Sequence, residues 1–90
     1  MASPLVYAFE KSIDRLDKHL GEKLRTLRKQ AGWSLQELAN KVGMSHQQIH
    51  KYELGYTKIT ITLLYKFSEI FGVTPTYFFE GYKPPSSNTS

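Results

Sequence analysis

Residues 46–51 place amide, imidazole and ammonium side chains close together, with no acidic residue among them. If this stretch is helical, its polar side chains share one side, because residues three or four positions apart lie on the same face of a helix. These side chains are His46, Gln47, His50 and Lys51. A glutamine amide pairs with the N6 and N7 edge of adenine, and a lysine reaches guanine O6 and N7 or a phosphate. The stretch is therefore suited to reading base-pair edges.

A simpler interpretation of the same residues is a solvated helix face that happens to be rich in amides, since polar exteriors are expected on helices. For an isolated helix this interpretation would be preferred. The neighbouring residues favour the first one, because they predict two capped helices joined by a tight turn. That layout is a helix-turn-helix, which places its second helix in the major groove of DNA.

Both helices begin at capping signals. Ser34 and Glu37 have the spacing of a capping box, in which the serine oxygen accepts from the Glu37 N–H and the glutamate side chain bonds back. Ser45 and Gln48 predict a second box. Each helix ends at a glycine, because glycine adopts the left-handed geometry after a helix without strain. The two terminating glycines are Gly43 and Gly55.

Helical patterns also occupy the N-terminal third of the chain. Ser3 as N-cap and Pro4 in the first turn predict a separate helix to about Ser12. Apolar residues at spacings of three or four then predict a helix that ends at Gly32, with Gly21 weakening the pattern. These apolar residues are Ile13, Leu16, Leu20, Leu24 and Leu27.

Two further helices are predicted towards the C-terminus. Thr60 caps the first of them, and its wide apolar stripe stops at Gly72. Thr74 and Pro75 begin a short last helix. The tail, residues 83–90, is polar and proline-rich and is expected to be disordered. Because no segment alternates long enough to build a sheet, the predicted fold class is all-α.

Composition argues against several classes of function. A chain of 90 residues allows one small domain, so no separate domain for a small-molecule ligand is expected. The absence of cysteine excludes disulfides and thiolate metal sites, and His46 with His50 alone is a weak signal for zinc. We find no nucleophile motif, no phosphate loop and no paired carboxylates in a context that would form a pocket, so we expect neither catalysis nor a cofactor.

The charge balance and the apolar runs concern partners and location. The formal net charge is +4 at pH 7, which is compatible with a polyanionic partner. No apolar run approaches the roughly 20 residues that cross a bilayer, and residues 1–11 lack the basic start of a signal peptide. We therefore expect a cytoplasmic protein that does not bind membranes.

Four blocks of sequence between Leu20 and Gly81 carry a family resemblance. The blocks are LGEKLRTLRKQAG, SLQELANKVGMS, QQIHKYELG and ITLLYKFSEIFGVTPTYFFEG. Together they resemble the phage-repressor-like helix-turn-helix family, of the Cro/cI or Xre type. The resemblance implies a compact five-helix bundle over residues 16–82, with residues 1–15 as an extra N-terminal helical segment. It makes residues 45–54 the recognition helix.

The resemblance also implies roles for individual side chains around this helix. For Gln48, a role in capping the helix is as good an interpretation as a base contact. For each lysine or histidine, the alternative is a side chain that is simply solvated. The implied base-contacting residues are His46, Gln47, Gln48 and Lys51. The implied phosphate-contacting residues are Ser45, His50, Lys41, Tyr56, Thr57 and Lys58.

The resemblance also bears on three residues that we expect to lie beneath the recognition helix and not on its DNA-facing side. Glu53 matches an acid that, in the family, pairs with an arginine of the first helix, and Arg28 falls at that arginine. We interpret this pair as structural. Leu35 departs from the family, because many relatives have a glutamine there that contacts phosphate. A leucine cannot make that hydrogen bond, so we expect Leu35 to belong to the core.

A single recognition helix contacts too little duplex for tight specific binding, so relatives bind palindromic sites as two-fold dimers. A homodimer is therefore expected here. One alternative is that Phe78 or Phe79 closes the core instead of contacting a second subunit. Residues 1–15 either pack on the bundle or supply a second dimer surface. The candidate interface residues are Tyr77, Phe78, Phe79 and Tyr82.

The expected function is that of a sequence-specific, DNA-binding transcriptional regulator, a repressor by analogy with the family. Double-stranded DNA with a palindromic operator is the expected partner, and the family implies a bacterial or phage origin. The alternative is an antitoxin-like or adaptor module that acts mainly through protein contacts of its aromatic C-terminal end.

Overall fold

Helices account for all the regular secondary structure in residues 4–84, the part of the chain that the computed structural model describes; side chains are described from residue 15 onward. The expected all-α class is confirmed. Within these residues, no helix is both long and apolar enough to cross a membrane. The elements are α1 (Pro4–Gln30), α2 (Leu35–Val42), α3 (His46–Leu54), α4 (Ile61–Phe71) and a 3₁₀ helix (Pro75–Phe79).

The first helix is longer than the sequence pattern predicts. Two segments with a break near Ser12 were expected, but α1 runs without interruption from Pro4 to Gln30. The prediction of a break was wrong because no glycine or proline lies near residue 12 to stop the helix. The expected count of five helices and an extra segment becomes four α-helices and a 3₁₀ helix. The proposed N-cap at Ser3 lies outside the described residues.

Gly21 allows α1 to pack directly on the backbone of α3. A Cβ atom at this position would lie 2.5 Å from the carbonyl oxygen of Glu53 and closer still to that of Tyr52. Side chains larger than hydrogen are therefore excluded here without a shift of one helix. The glycine that weakens the helical pattern in the sequence is needed for the contact between two helices.

The core lies where the four helices and the 3₁₀ helix meet. α1 supplies three leucines, α2 supplies three apolar residues and α3 supplies two. Phe67 and Phe78 are completely buried and close the core from the C-terminal side. The buried hydrophobic residues are Leu20, Leu24, Leu27, Leu38, Ala39, Val42, Ile49, Tyr52, Leu64, Phe67 and Phe78.

The C-terminal elements follow the capping signals in part. Thr60 caps α4 as expected, since its hydroxyl accepts from the N–H of Leu63 at 3.1 Å. Thr74 precedes the last helix, but its hydroxyl bonds to that of Thr76 and does not cap the helix. This last element is a single 3₁₀ segment. Most of the tail that is expected to be disordered, residues 85–90, lies outside the described residues.

Replacing Gly21 with alanine is expected to destabilise the fold. Alanine in a helix interior is favoured over glycine by about 1 kcal/mol, but overpacking against the carbonyl oxygens of α3 costs about 1–3 kcal/mol and should exceed that gain. The free energy of unfolding, measured by urea denaturation and circular dichroism, should therefore fall. Thr26→Ala, at an exposed position of α1, should leave it unchanged or raise it slightly. A Gly21→Ala protein as stable as this control would contradict the close packing.

Candidate nucleic-acid interface

The turn between α2 and α3 is held by caps at both helices. The N–H of Glu37 donates to Ser34 Oγ at 3.0 Å, and the N–H of Ser34 donates to Glu37 Oε1 at 2.7 Å, so the predicted capping box is formed. Gly43 ends α2 with a φ of 74°. Because only three residues, 43–45, separate the two helices, the start of α3 is fixed relative to α2.

The cap of α3 forms only half of the expected box. Ser45 Oγ accepts from the N–H of Gln48 at 3.1 Å. The reciprocal bond from the Gln48 side chain is not formed, so the prediction of a complete box was wrong here. Gln48 is half-buried, and its amide keeps its donor and acceptor for another partner.

The helix α3 has one anchored face and one free face. Ile49 is fully buried and Tyr52 nearly so, which fixes the rotation of the helix about its axis. Glu53, the one acidic residue of α3, is also buried. The polar residues singled out in the sequence face solvent together. These exposed residues are His46, Gln47, His50 and Lys51.

The structure brings Arg28 of α1 and Glu53 of α3 together in a two-pronged pair. Arg28 Nε donates to Glu53 Oε2 at 2.6 Å, and Nη2 donates to Oε1 at 3.1 Å. A third bond joins Arg28 Nη1 to the carbonyl oxygen of Trp33 at 2.8 Å. The side chains are 10% and 2% exposed. Parallel N–H···O bonds of this kind are strong and directional, so the pair ties α1, α3 and the loop before α2 together.

The residues proposed to contact phosphate lie in different environments. Tyr56 is strongly exposed in the loop after α3, and Thr57 is half-buried. Lys58 Nζ lies 3.0 Å from Oδ2 of Asp17 on α1. Lys41 Nζ lies over the ring of Trp33, 4.5 Å from its centroid. Two of the candidate cations therefore have partners within the chain.

Leu35 lies where its apolar character predicts. Its side chain is half-buried and packs against the core from the start of α2. The position where the family resemblance implies a phosphate-binding glutamine thus contributes to packing in this chain.

The four residues proposed for a dimer interface do not share one environment. Phe78 is completely buried in the core, so it is not available to a second subunit. Phe79 is 44% exposed. Tyr77 is half-buried and carries the ammonium of Lys23 over its ring at 4.6 Å. The ring of Tyr82 lies 5.3 Å from that of His19 on α1.

The sequence interpretation missed several residues that surround this region. The ring of Trp33 lies 5.1 Å from that of Phe71 at a tilt of 32°, and its carbonyl oxygen accepts the third bond of Arg28. Local sequence patterns reveal neither contact. Ile61 and Tyr65 are strongly exposed on α4. Their i,i+4 spacing was a usable signal, because it places two large side chains on the same side of a helix.

Comparison with known proteins identifies the class of this fold. The family described as helix-turn-helix matches residues 24–78, more than half of the chain. The chain belongs to this family, in its Xre/Cro-like form. The match begins inside α1 and ends at the buried Phe78, so it covers the capped pair of helices and the core beneath them.

Similar proteins come from several bacteria. An uncharacterized HTH-type transcriptional regulator of Rickettsia prowazekii is 36% identical over 69 residues, 77% of this chain and 53% of its own length. A regulator of the same description in Sinorhizobium medicae is 34% identical over 71 residues, 79% of this chain and 51% of its own. An uncharacterized transcriptional regulator in the ATPase CF(0) region of Rhodospirillum rubrum is 35% identical over 69 residues, 77% of this chain and 64% of its own. The chain thus spans about half to two thirds of the length of these relatives.

Replacing Glu53 with glutamine is expected to destabilise the protein strongly. The change leaves the buried guanidinium of Arg28 without its counter-charge, and breaking a buried pair from one side costs about 3 kcal/mol or more. Urea denaturation of the variant, with Glu22→Gln at an exposed position of α1 as control, measures this loss.

The double variant Arg28→Met with Glu53→Leu separates the cost of an unpaired buried charge from the cost of altered packing around the pair. It removes both charges, so it should be more stable than Glu53→Gln, because no uncompensated charge remains buried. A double variant as unstable as the single one would indicate that packing around the pair, and not the unpaired charge, is responsible.

Proposed function

We propose that this chain binds double-stranded DNA in a sequence-specific manner as a transcriptional regulator, with α3 reading the major groove. One observation carries the proposal: the solvent face of α3 presents amide, imidazole and ammonium groups and no carboxylate. The one acid of this helix, Glu53, is 2% exposed and neutralised by Arg28. A polyanion therefore meets no negative side chain from α3.

The start of α3 is suited to enter the groove first. In helix-turn-helix proteins the N-terminal residues of the second helix contact base edges, and His46 and Gln47 are the first two residues of α3. The N-terminus of a helix also attracts phosphate through its free N–H groups and its dipole. Ser45 Oγ accepts from one of these N–H groups, that of Gln48.

Base contacts are assigned to the exposed amide and ammonium groups. Gln47 is placed to bind adenine through a donor and an acceptor, and Lys51 follows one turn later on the same side to reach guanine or phosphate. His46 adds a third contact. Gln48, whose amide takes no part in capping, is the fourth candidate.

Phosphate contacts are assigned to the flanks of α3. Tyr56, Thr57 and Lys58 follow it in the loop to α4, and Ser45 and His50 lie on the helix or at its cap. Lys41 is included, although its ammonium rests over Trp33. Neutralised phosphates release counterions, so affinity should fall steeply with increasing salt.

The proposed assembly is a homodimer on a palindromic site, centred on Phe79. Among the four aromatic residues considered, Phe79 is the exposed one, whereas Tyr77 and Tyr82 already contact side chains of α1. Two copies related by a two-fold axis would present two α3 helices to successive turns of the duplex. Several relatives are described as transcriptional regulators, and a repressor acts through occupancy of such a site.

An adaptor or antitoxin-like module is the second candidate, favoured by a different observation. Ile61 and Tyr65 expose apolar surface on α4, with 86% and 56% of their areas accessible. Large exposed apolar groups side by side are typical of protein contacts. Binding that is weak, independent of salt and without base preference would favour this function over the first.

Selection of duplexes from a random pool at physiological salt should enrich a palindrome. On the enriched duplex, Gln47→Ala should weaken binding by about 1–3 kcal/mol, because one base pair loses its direct contact. Fluorescence anisotropy measures the dissociation constant. Gln30→Ala, an equivalent change at the exposed end of α1, serves as control. The proposal of sequence-specific reading fails if no site is enriched or if both variants bind alike.

Phe79→Ser should weaken self-association. Phe79 is 44% exposed in the single chain, so a dimer contact would bury at most that part of its surface, which contributes about 1 kcal/mol. Sedimentation velocity would detect this loss as a shift from dimer towards monomer. Tyr65→Ser, with a similarly exposed aromatic residue on α4, tests the other apolar surface. If the second variant dissociates and the first does not, the interface lies on α4. A wild-type chain that is monomeric both free and on the enriched duplex would refute the homodimer.

A further inference from the structure

Lys58, one of the proposed phosphate contacts, is held by a carboxylate of α1. Its ammonium donates to Oδ2 of Asp17 at 3.0 Å. The two partners differ in exposure, since the lysine side chain is 65% exposed and the aspartate side chain only 12%. The carboxylate is thus fixed in the protein surface, whereas the ammonium remains accessible to a polyanion from outside.

The backbone brings this carboxylate to the loop that follows the recognition helix. Gly55, just after α3, lies so close to α1 that a Cβ atom there would be 2.8 Å from Cα of Lys18. Asp17 is the neighbour of Lys18, and Lys58 follows Gly55 by three residues and reaches back to α1. The negative charge therefore lies at the flank of α3, where the proposed function requires phosphate oxygens to approach.

A carboxylate at this place opposes a phosphate in two ways. It takes one N–H donor of the Lys58 ammonium and neutralises the charge that would otherwise attract the phosphate, and its own charge repels the anion. An ion pair with an exposed partner contributes little to folding, so stability alone gives little reason for it. Its larger electrostatic effect falls on whatever anion approaches Lys58.

We propose, on the basis of the DNA-binding function proposed above, that Asp17 acts as a brake on DNA affinity by competing with a backbone phosphate for Lys58. Phosphate contacts position a protein on DNA but carry no base sequence. The brake therefore lowers affinity for the operator and for unrelated duplexes by the same factor. It sets how tightly the regulator binds and leaves unchanged which sequence it prefers.

The test uses Asp17→Asn in the full chain, which removes the charge and keeps the size of the side chain. Dissociation constants are measured at several salt concentrations, on the enriched duplex and on a duplex of scrambled sequence. Both should decrease by the same factor, up to about fivefold at low salt, the range expected for an exposed ion pair. The plot of log affinity against log salt should steepen by up to about 0.9 per protomer, corresponding to one added phosphate contact.

Two controls separate the brake from a general charge effect. Glu22→Gln makes the same change in net charge on α1, at an exposed position about 140° around the helix from Asp17, and should alter affinity less. In a Lys58→Gln background, Asp17→Asn should have no further effect on the salt slope, because the ammonium for which Asp17 and the phosphate compete is gone. Thermal unfolding of each variant by circular dichroism checks that the fold is retained.

The outcomes distinguish this inference from the function on which it rests. If the wild-type chain binds DNA and Asp17→Asn leaves affinity and salt slope unchanged, the brake is refuted and the DNA-binding function stands. Weaker binding by Asp17→Asn would show that Asp17 orients Lys58 towards phosphate, and this too refutes the brake. A gain in affinity and in salt slope that is as large in the Lys58→Gln background as in the wild-type chain refutes the competition for Lys58. If the wild-type chain binds no duplex, the proposed function itself fails.

Discussion

The buried pair of Arg28 and Glu53 controls both the shape and the charge of the candidate interface. Its parallel hydrogen bonds fix α3 against α1, and the bond from Arg28 to the carbonyl oxygen of Trp33 adds the loop that leads into α2. The helices of the helix-turn-helix therefore share one anchor beneath their surface. The same pair removes the negative charge of α3 from solvent, so the interface owes its acid-free face to an interaction on the opposite side of the helix.

Close backbone contact between α1 and α3 makes this pair geometrically feasible. Gly21 lets α1 approach the carbonyl oxygens at the end of α3, and Gly55 lets the following loop approach Lys18. Arg28 lies two turns after Gly21 along α1, and Glu53 is one of the residues whose carbonyl faces that glycine. The short distance between the helices and the electrostatic anchor thus support each other, since larger side chains at the contact would separate the charges.

The sequence predicts the features that depend on short-range chemistry. The caps at Ser34, Ser45 and Thr60 and the glycine after each of the three helices could be located because they involve residues three or four positions apart. Ile49 and Tyr52 lie three positions apart, the spacing of one helix face, and both are buried. Arg28 and Glu53, in contrast, were paired only through the resemblance to a family, because nothing in the local sequence links residues 25 positions apart.

Other features of the site were beyond prediction for the same reason. The pair of Asp17 with Lys58 joins residues 41 positions apart, and its two members look like ordinary solvated charges in the sequence. Phe78 and Phe79 are identical in type and adjacent in the chain, so only the packing of the 3₁₀ helix decides that one is buried and the other exposed. The start of α1 at Pro4 agrees with the signal at Ser3 and Pro4, but that signal marks only where a helix begins and does not show that it continues to Gln30.

The position of Trp33 gives this small domain a built-in optical probe. It is the sole tryptophan of the chain. Its indole lies against Phe71 of α4 and under the ammonium of Lys41 of α2. Its carbonyl oxygen accepts a hydrogen bond from Arg28 of α1. Its emission therefore depends on contacts with two helices, and its backbone is bonded to a third. Because Lys41 is a candidate for contact with a polyanion, the same chromophore lies within reach of events at the surface. Folding and binding could thus be followed in the unlabelled protein through one signal.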